Sequence, residues 1–242
     1  MALNKVIVDQ EFWDLFPDAT VNIMFVNNFE NDKTSLTEDD RDKMLQKAVK
    51  ESAKYTGAEP FSSNPVIAQW RDAYKKFPKR KGARASVEAL LKRASKGHHF
   101  APINPLVDVY NSISMTYGVP VGIEDADHIA GDMHLGKAKG GEAFVSVGGN
   151  GENESDPARE GEIMYYDDEG AVCRSLNWRD GTRTQVNDDT KNAVIVIESV
   201  NAEQAARAKE AMSKLSELIE KYFNVETTAD YTLTKDNPSV QR

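Results

Sequence analysis

With a single cysteine, Cys173, this chain of 242 residues cannot close a disulfide on itself, and a reducing, cytoplasmic setting follows. No apolar run approaches the ~20 residues that cross a bilayer, and Met1-Ala2-Leu3-Asn4-Lys5-Val6 has no signal-peptide core, so no membrane partner is expected. GxxxxGK[ST], GxGxxG and GxSxG are all absent, which leaves phosphate loops, dinucleotide folds and serine-hydrolase elbows without support. Histidines are few. His128 and His134 stand six apart with no Cys-x-x-Cys beside them, and His98-His99 extend a basic stretch, so neither a metal nor another cofactor is expected. Gly148-Gly149-Asn150-Gly151 is glycine-rich, but acidic residues follow it, which suits an exposed turn better than a phosphate cradle.

Against these absences, 40% hydrophobic and 29% charged residues describe a globular chain long enough for a substantial core. The net charge of -9 is uneven. Between Arg71 and Lys96 ten cations (Arg71, Lys75, Lys76, Lys79, Arg80, Lys81, Arg84, Lys92, Arg93 and Lys96) face only Asp72 and Glu88, which makes +8 there and -17 elsewhere. A basic island on an acidic protein is a contact for a polyanion, because the local field governs association. The plainer alternative is a solvated helix-turn-helix face.

Periodicity lays out the elements. Leu3 to Asp9 and Thr20 to Asn27 read as strands, with Phe12 to Pro17 a short helical turn between them. Helices are predicted from Glu38 to Tyr55 behind a Thr37 cap, from Asn64-Pro65 to Phe77, from Ala85 to Ser95 with Ser86 a possible cap, and from Asn104 to Tyr117. The second half turns strand-rich: Ala143 to Val147, Glu162 to Tyr166, Ala171 to Leu176 and Ala193 to Ser199, with Gly148 to Asp156 an exposed loop. Ala202 to Phe223 is a long amphipathic helix capped by Asn201, Asp230 to Thr234 a weak strand, and 235–242 a tail expected to fray. The pattern defines one α+β domain, mostly antiparallel sheets flanked by helices, with 1–64 packed on the rest.

Two places carry more chemistry than their local structure needs. The run Cys173-Arg174-Ser175-Leu176-Asn177-Trp178-Arg179-Asp180-Gly181 crowds two guanidinium groups and an indole into a turn, which describes either a grip for an anion or planar group, or a turn with a covering Trp. Glu198 ends Ala193-Val194-Ile195-Val196-Ile197, a strand apolar on both faces. Its carboxylate either pairs with a structural arginine such as Arg174 or Arg179 or faces a cavity. Cys173 reads as a small buried hydrophobe.

Taken in order, Arg84 to Arg93, Ile103 to Asn111, Gly118-Val119-Pro120-Val121-Gly122, Cys173 to Asp180 and Thr190 to Glu198 resemble the B3/B4 domain family, the editing domain of the bacterial phenylalanyl-tRNA synthetase β subunit and its free-standing relatives. The resemblance spans roughly Pro65 to Phe223, and without synthetase domains around it the chain reads as a free-standing member. It implies hydrolysis of the ester that joins a wrong amino acid to a tRNA. It assigns Asn111 to a substrate-orienting position and Glu198 to that of the pocket carboxylate. Gly122 falls where the synthetase has a pocket histidine, and Arg174 to Gly181 where it has a glycine-rich wall.

These departures point away from a tyrosine pocket and toward a polar or cationic side chain read by Glu198 or Asp180, as in relatives that clear canavanine from arginine tRNA. Asn111 and Glu198 are then the catalytic candidates. Gly122, Arg174, Asn177, Trp178, Arg179 and Asp180 would bind substrate, with Trp178 stacking on the terminal adenine. Lys75, Lys76, Lys79, Arg80, Lys81, Arg84, Lys92 and Arg93 would hold the tRNA. The rival readings are a module that binds tRNA or an aminoacyl-tRNA synthetase without hydrolysis, tyrosine editing on phenylalanine tRNA, and an esterase or amidase for small molecules.

Overall fold

The computed structural model describes residues 2–147, 152–228 and 231–242. In chain order its first half carries β1 (Lys5–Val8), α1 (Gln10–Leu15), β2 (Thr20–Val26), α2 (Glu38–Ser52), α3 (Pro65–Ala73), α4 (Ser86–Ser95) and α5 (Pro105–Tyr117). The second half carries β3 (Gly122–Asp125), β4 (Met133–Lys137), β5 (Val145–Val147), β6 (Asn153–Ser155), β7 (Ile163–Asp167), β8 (Gly170–Arg174), β9 (Arg179–Asp180) and β10 (Ala193–Ser199). It ends with α6 (Ala202–Phe223), β11 (Tyr231–Leu233) and β12 (Ser239–Gln241).

Two sheets pack face to face. One runs β12-β1-β4-β7-β8-β9, the other β11-β2-β10-β3, and β5 with β6 forms a separate ribbon. All described pairings are antiparallel except β1 with β4. The period of two along β10 explains why it is apolar on both sides. Val194 and Val196 enter the core between the sheets with Val6, Val21, Ile23, Met133, Leu135, Ile163 and Val172. Ala193, Ile195 and Ile197 enter a second core against α5 and α6, with Leu106, Val109, Ile113, Ala208, Met212, Leu215 and Ile219. Glu198 continues the parity of Val194 and Val196, so its carboxylate belongs to the layer between the sheets.

The helix boundaries follow their caps. Thr37 and Asp40 form a reciprocal capping box on α2, which ends at Ser52 in a short 3-10 turn. The Asn104 side chain accepts from the amides of Leu106 and Val107, and α5 stops on Gly118 at φ 63. Asn201 caps α6 through the Gln204 amide. Ser86 does not cap α4: Ala85 holds that position without a side-chain bond, and the Ser86 amide donates to the Asn177 carbonyl. Nor does α3 reach Phe77; it ends at Ala73.

Three expectations need correction. Residues 1–64 do more than pack on the rest, because β1 and β2 are interior members of the two sheets. Residues 235–242 are not a frayed tail: β12 pairs with β1, so the C-terminal segment closes an edge of each sheet through β11 and β12. Within the stretch read as an exposed loop, Asn153–Ser155 pair with Val145–Val147, while the glycine run 148–151 lies outside the described residues. The strands β3 and β4 were not foreseen. Among the described residues no helix is long and apolar enough to cross a membrane.

Candidate active site and cationic groove

A cavity opens between the two sheets near their β8-β9 and β3 ends. From the larger sheet, Tyr165 faces Cys173 across β7 and β8, and Cys173 faces Asp180 across β8 and β9, which sets three polar side chains in a row on one face. From the smaller sheet, Gly122 pairs with Val196, and Gly122, Glu124, Val196 and Glu198 share the opposing face. Val121, Met133, Ser86, Asn177 and Trp178 complete the walls around an empty volume of about 430 Å³, open mouth included. A Cβ on Gly122 would meet nothing closer than the Val196 carbonyl at 4.0 Å, so the glycine leaves the cavity roomier there.

Glu198 faces this cavity and, among the described residues, pairs with no arginine. The Tyr165 hydroxyl donates to its Oε1 at 2.8 Å and the Asn177 amide to its Oε2 at 3.2 Å, in a site where Glu198 is 1% exposed. Burial pushes its pKa above the ordinary carboxylate value, against the pull of those two donors. Glu124 is driven well above, first by burial and then by the charge of Asp180, and Asp180 is itself raised by burial. Glu124 Oε2 has no hydrogen-bond partner. The cavity therefore holds three carboxyl groups, and no Lys or Arg lines it.

The loop that supplies Asn177 is held against its own preference. Ser175 at φ 48 and Leu176 at φ 65 are consecutive left-handed non-glycine residues, which cost on the order of 1–3 kcal/mol each. The cost is offset by anchors on every side. Glu162 accepts from the Ser175 amide at 2.8 Å and hydroxyl at 2.6 Å, the Leu176 amide donates to the Ile163 carbonyl, and the Tyr74 hydroxyl sits 2.7 Å from the Ser175 carbonyl. Tyr74 also lies 3.1 Å from Asn177 Oδ1, which turns the amide nitrogen toward Glu198.

Arg174 serves this frame and is not available to a ligand. It is fully buried, with Nε 3.1 Å and Nη2 2.5 Å from the two Glu162 oxygens, Nη1 2.8 Å from Asp156 Oδ2, and its guanidinium against the Phe144 ring. Its assignment to substrate is corrected on that ground. Asn111 is not brought to the cavity either. The α5 residue that comes under the field of Asp180 and Glu124 is the preceding one, Tyr110, whose hydroxyl burial pushes upward, and one helical step turns Asn111 about 100° away.

Trp178 and Ser86 line the cavity and also a groove outside it, with Arg84, Ala89, Lys92, Arg93, Lys96, His98 and Arg179. Five cations line this groove and no carboxylate does. The Arg179 guanidinium stands 4.8 Å over the Trp178 ring. Of the eight predicted tRNA contacts, the groove gathers Arg84, Lys92 and Arg93. Lys75 and Lys79 line a neighbouring recess with Trp70, Tyr74 and Arg84, but Lys75 is paired with Asp72. Lys76 lies over the Phe16 ring and bonds the Leu15 carbonyl, Arg80 is paired with Asp156, and Lys81 is exposed. Lys76 and Arg80 thus make contacts within the chain, with Lys76 exposed and Arg80 half-buried.

Glu124, Tyr165, Lys96 and His98 were missed or unassigned as site residues. Glu124 had a readable signal, since it lies two residues beyond Gly122 and so on the same face of one strand.

A two-sheet α+β chain thus sets an acid-lined cavity beside a cationic groove, with Trp178 and Ser86 lining both. The chain belongs to the B3/4 domain family, whose sequence model matches residues 69–232. It is similar to the phenylalanine–tRNA ligase beta subunit of Mycoplasmoides gallisepticum, 34% identical over 31% of this chain and 9% of that protein. It is 26% identical to that of Neisseria meningitidis over 47% and 14%, and 29% identical to that of Bartonella quintana over 48% and 14%. The chain thus spans between 9% and 14% of these relatives' length. A solved N-terminal fragment of the phenylalanyl-tRNA synthetase beta subunit from Pyrococcus horikoshii is similar over 92% of this chain and 49% of its own, at 15% identity and a TM-score of 0.46.

Proposed function

We propose that this chain hydrolyses the ester joining a non-cognate amino acid to the 3′ end of a tRNA, and that the amino acid carries a cationic side chain, canavanine on arginine tRNA being one example. The observation that carries this reading is the opposition of charge across Trp178 and Ser86, with five cations and no acid in the groove and three acids and no base in the cavity. Backbone phosphates match the first surface and a guanidinium-like or ammonium group the second. Trp178 offers its ring to the unpaired terminal base, as aromatic side chains do at single-stranded ends.

Inside, a cation between Glu124 and Asp180 would relieve the desolvation that raises both groups and the charge of Asp180 that further raises Glu124. Glu198, oriented by Tyr165 and Asn177, would direct the attacking water, and its raised pKa brings it closer to the range useful for proton transfer at neutral pH. An aminoacyl ester is labile, so placing the carbonyl and one water supplies much of the rate. The work would take place in the cytoplasm, on tRNA released by a synthetase.

The test is release of radiolabelled amino acid from mischarged tRNA by the parent and by Glu198→Gln. Release by the parent with a loss of at least about 100-fold in Glu198→Gln supports the reading, that being the scale of positioned acid–base catalysis. Equal rates would remove Glu198 from the mechanism. Binding of tRNA with no release by the parent would make the chain a binding module.

A further inference from the structure

The cavity lining carries a donor set of which the deacylase reading uses the two carboxyls but not the thiol. Cys173, Asp180 and Glu124 each offer one ligand atom, and the three atoms lie within 4.8 Å of one another. They come from three strands in two sheets: β8 and β9, where Cys173 and Asp180 are direct cross-strand partners, and β3 of the smaller sheet. Donors placed on strands are fixed more tightly than donors on loops. A second observation concerns one of these donors. The Glu124 carboxyl interacts with Thr184 and Asp180, yet among the described residues no donor meets its Oε2 in hydrogen-bond geometry, although the residue is only 4% exposed and lines the cavity. A buried carboxylate oxygen left alone is costly unless a ligand completes it.

We propose that Glu124, Cys173 and Asp180 bind one thiophilic divalent cation of the zinc class, with the cavity side left open for water or a ligand. One thiolate and two carboxylates suit such an ion better than magnesium or calcium, which take oxygen donors. Tetrahedral bonds of about 2.3 Å to sulfur and 2.0–2.2 Å to oxygen put neighbouring donors roughly 3.5 Å apart, so side-chain shifts of about 1 Å close the site. On binding, the Cys173 S–H bond breaks, its proton leaves to solvent and the sulfur pair goes to the metal. The ion would bridge the two sheets and neutralise the carboxylates that the proposed substrate's cation needs, so it would compete with that substrate.

The test uses untagged protein freed of metal by a chelator and titrated with Co²⁺. One equivalent should bind with an intense thiolate-to-cobalt charge-transfer band, which can arise from no other residue because the chain has a single cysteine. Cys173→Ser should lose the band, and Asp180→Asn, which keeps the side chain's size, should weaken cobalt binding at least about tenfold. A band retained in Cys173→Ser, no band at saturating cobalt, or unchanged affinity in Asp180→Asn overturns the proposal. Thermal melts of each variant confirm folding, and Asp180→Asn decides the matter if Cys173→Ser does not fold. The titration contains no tRNA, so its outcome is independent of the deacylase reading.

Discussion

Arg174 is the residue whose meaning the structure changes most, and the change has a measurable size. Arg174→Met keeps much of the side chain's length but leaves Glu162, which is 0% exposed, without its counter-charge. Removing one partner of a buried ion pair costs about 3–5 kcal/mol. Glu162 still accepts from the Ser175 amide and hydroxyl and from the Arg159 amide, which places the loss toward the lower figure. Each kcal/mol moves Tm by about 2–4 °C in a chain of this length, so the parent's Tm should fall by roughly 6–12 °C at that lower figure. Scanning calorimetry reads the shift. The double variant Arg174→Met with Glu162→Gln should regain more than half of it, because the amide carries no charge yet keeps an oxygen for Ser175. Below its melting range Arg174→Met should bind tRNA like the parent, since Arg174 touches neither groove nor cavity. A Tm within about 2 °C of the parent, the shift of ~1 kcal/mol or less, would refute the structural role.

Glu124→Gln should stabilise the protein at neutral pH. Because burial and Asp180 raise Glu124, the folded chain holds a proton the unfolded chain gives up, so stability is greatest below the ordinary carboxylate range and falls as pH rises through the folded pKa. Melting curves should show Glu124→Gln at least about 2 °C above the parent at neutral pH and no difference near pH ~4. Neutralising Lys92 and Arg93 together should lower the slope of log affinity against log salt by about 1.4–1.8 in tRNA titrations, the effect of two lost phosphate contacts. Lys75→Ala should leave that slope unchanged, because Lys75 is paired with Asp72. Truncation after Thr234 removes β12 from β1, together with bonds such as Val8 amide to Pro238 carbonyl, and should cost about 2 kcal/mol or more in urea unfolding.

Much of this molecule was legible from local rules, and what was not has physical reasons. Thr37, Asn104 and Asn201 announced their helices because a cap is a local hydrogen bond. The doubly apolar run before Glu198 announced a strand covered on both faces. The strand β4 hid because Met133-His134-Leu135-Gly136-Lys137 mixes residues of low strand preference; Met133 and Leu135 enter the inner core while His134 faces outward to Asp9 and Tyr166. Pairing of β12 with β1 is a contact between the two chain ends, and polar composition at a terminus gives no sign of it. Arg174 and Arg179 are near neighbours in sequence with opposite fates: one faces Glu162 in the interior, the other Trp178 in the groove. Two left-handed residues between them reverse the chain, and Ser-Leu gives no composition signal for that conformation.

The central claim is that the acid-lined cavity accepts a cationic amino acid from tRNA held in the basic groove. The direct measurement is amino-acid release from one tRNA charged with a guanidino or amino side chain and, separately, with an uncharged side chain of similar length. The account predicts faster release of the cationic amino acid, with the preference collapsing in Asp180→Asn. Equal release of both, or a preference that survives Asp180→Asn, would contradict it.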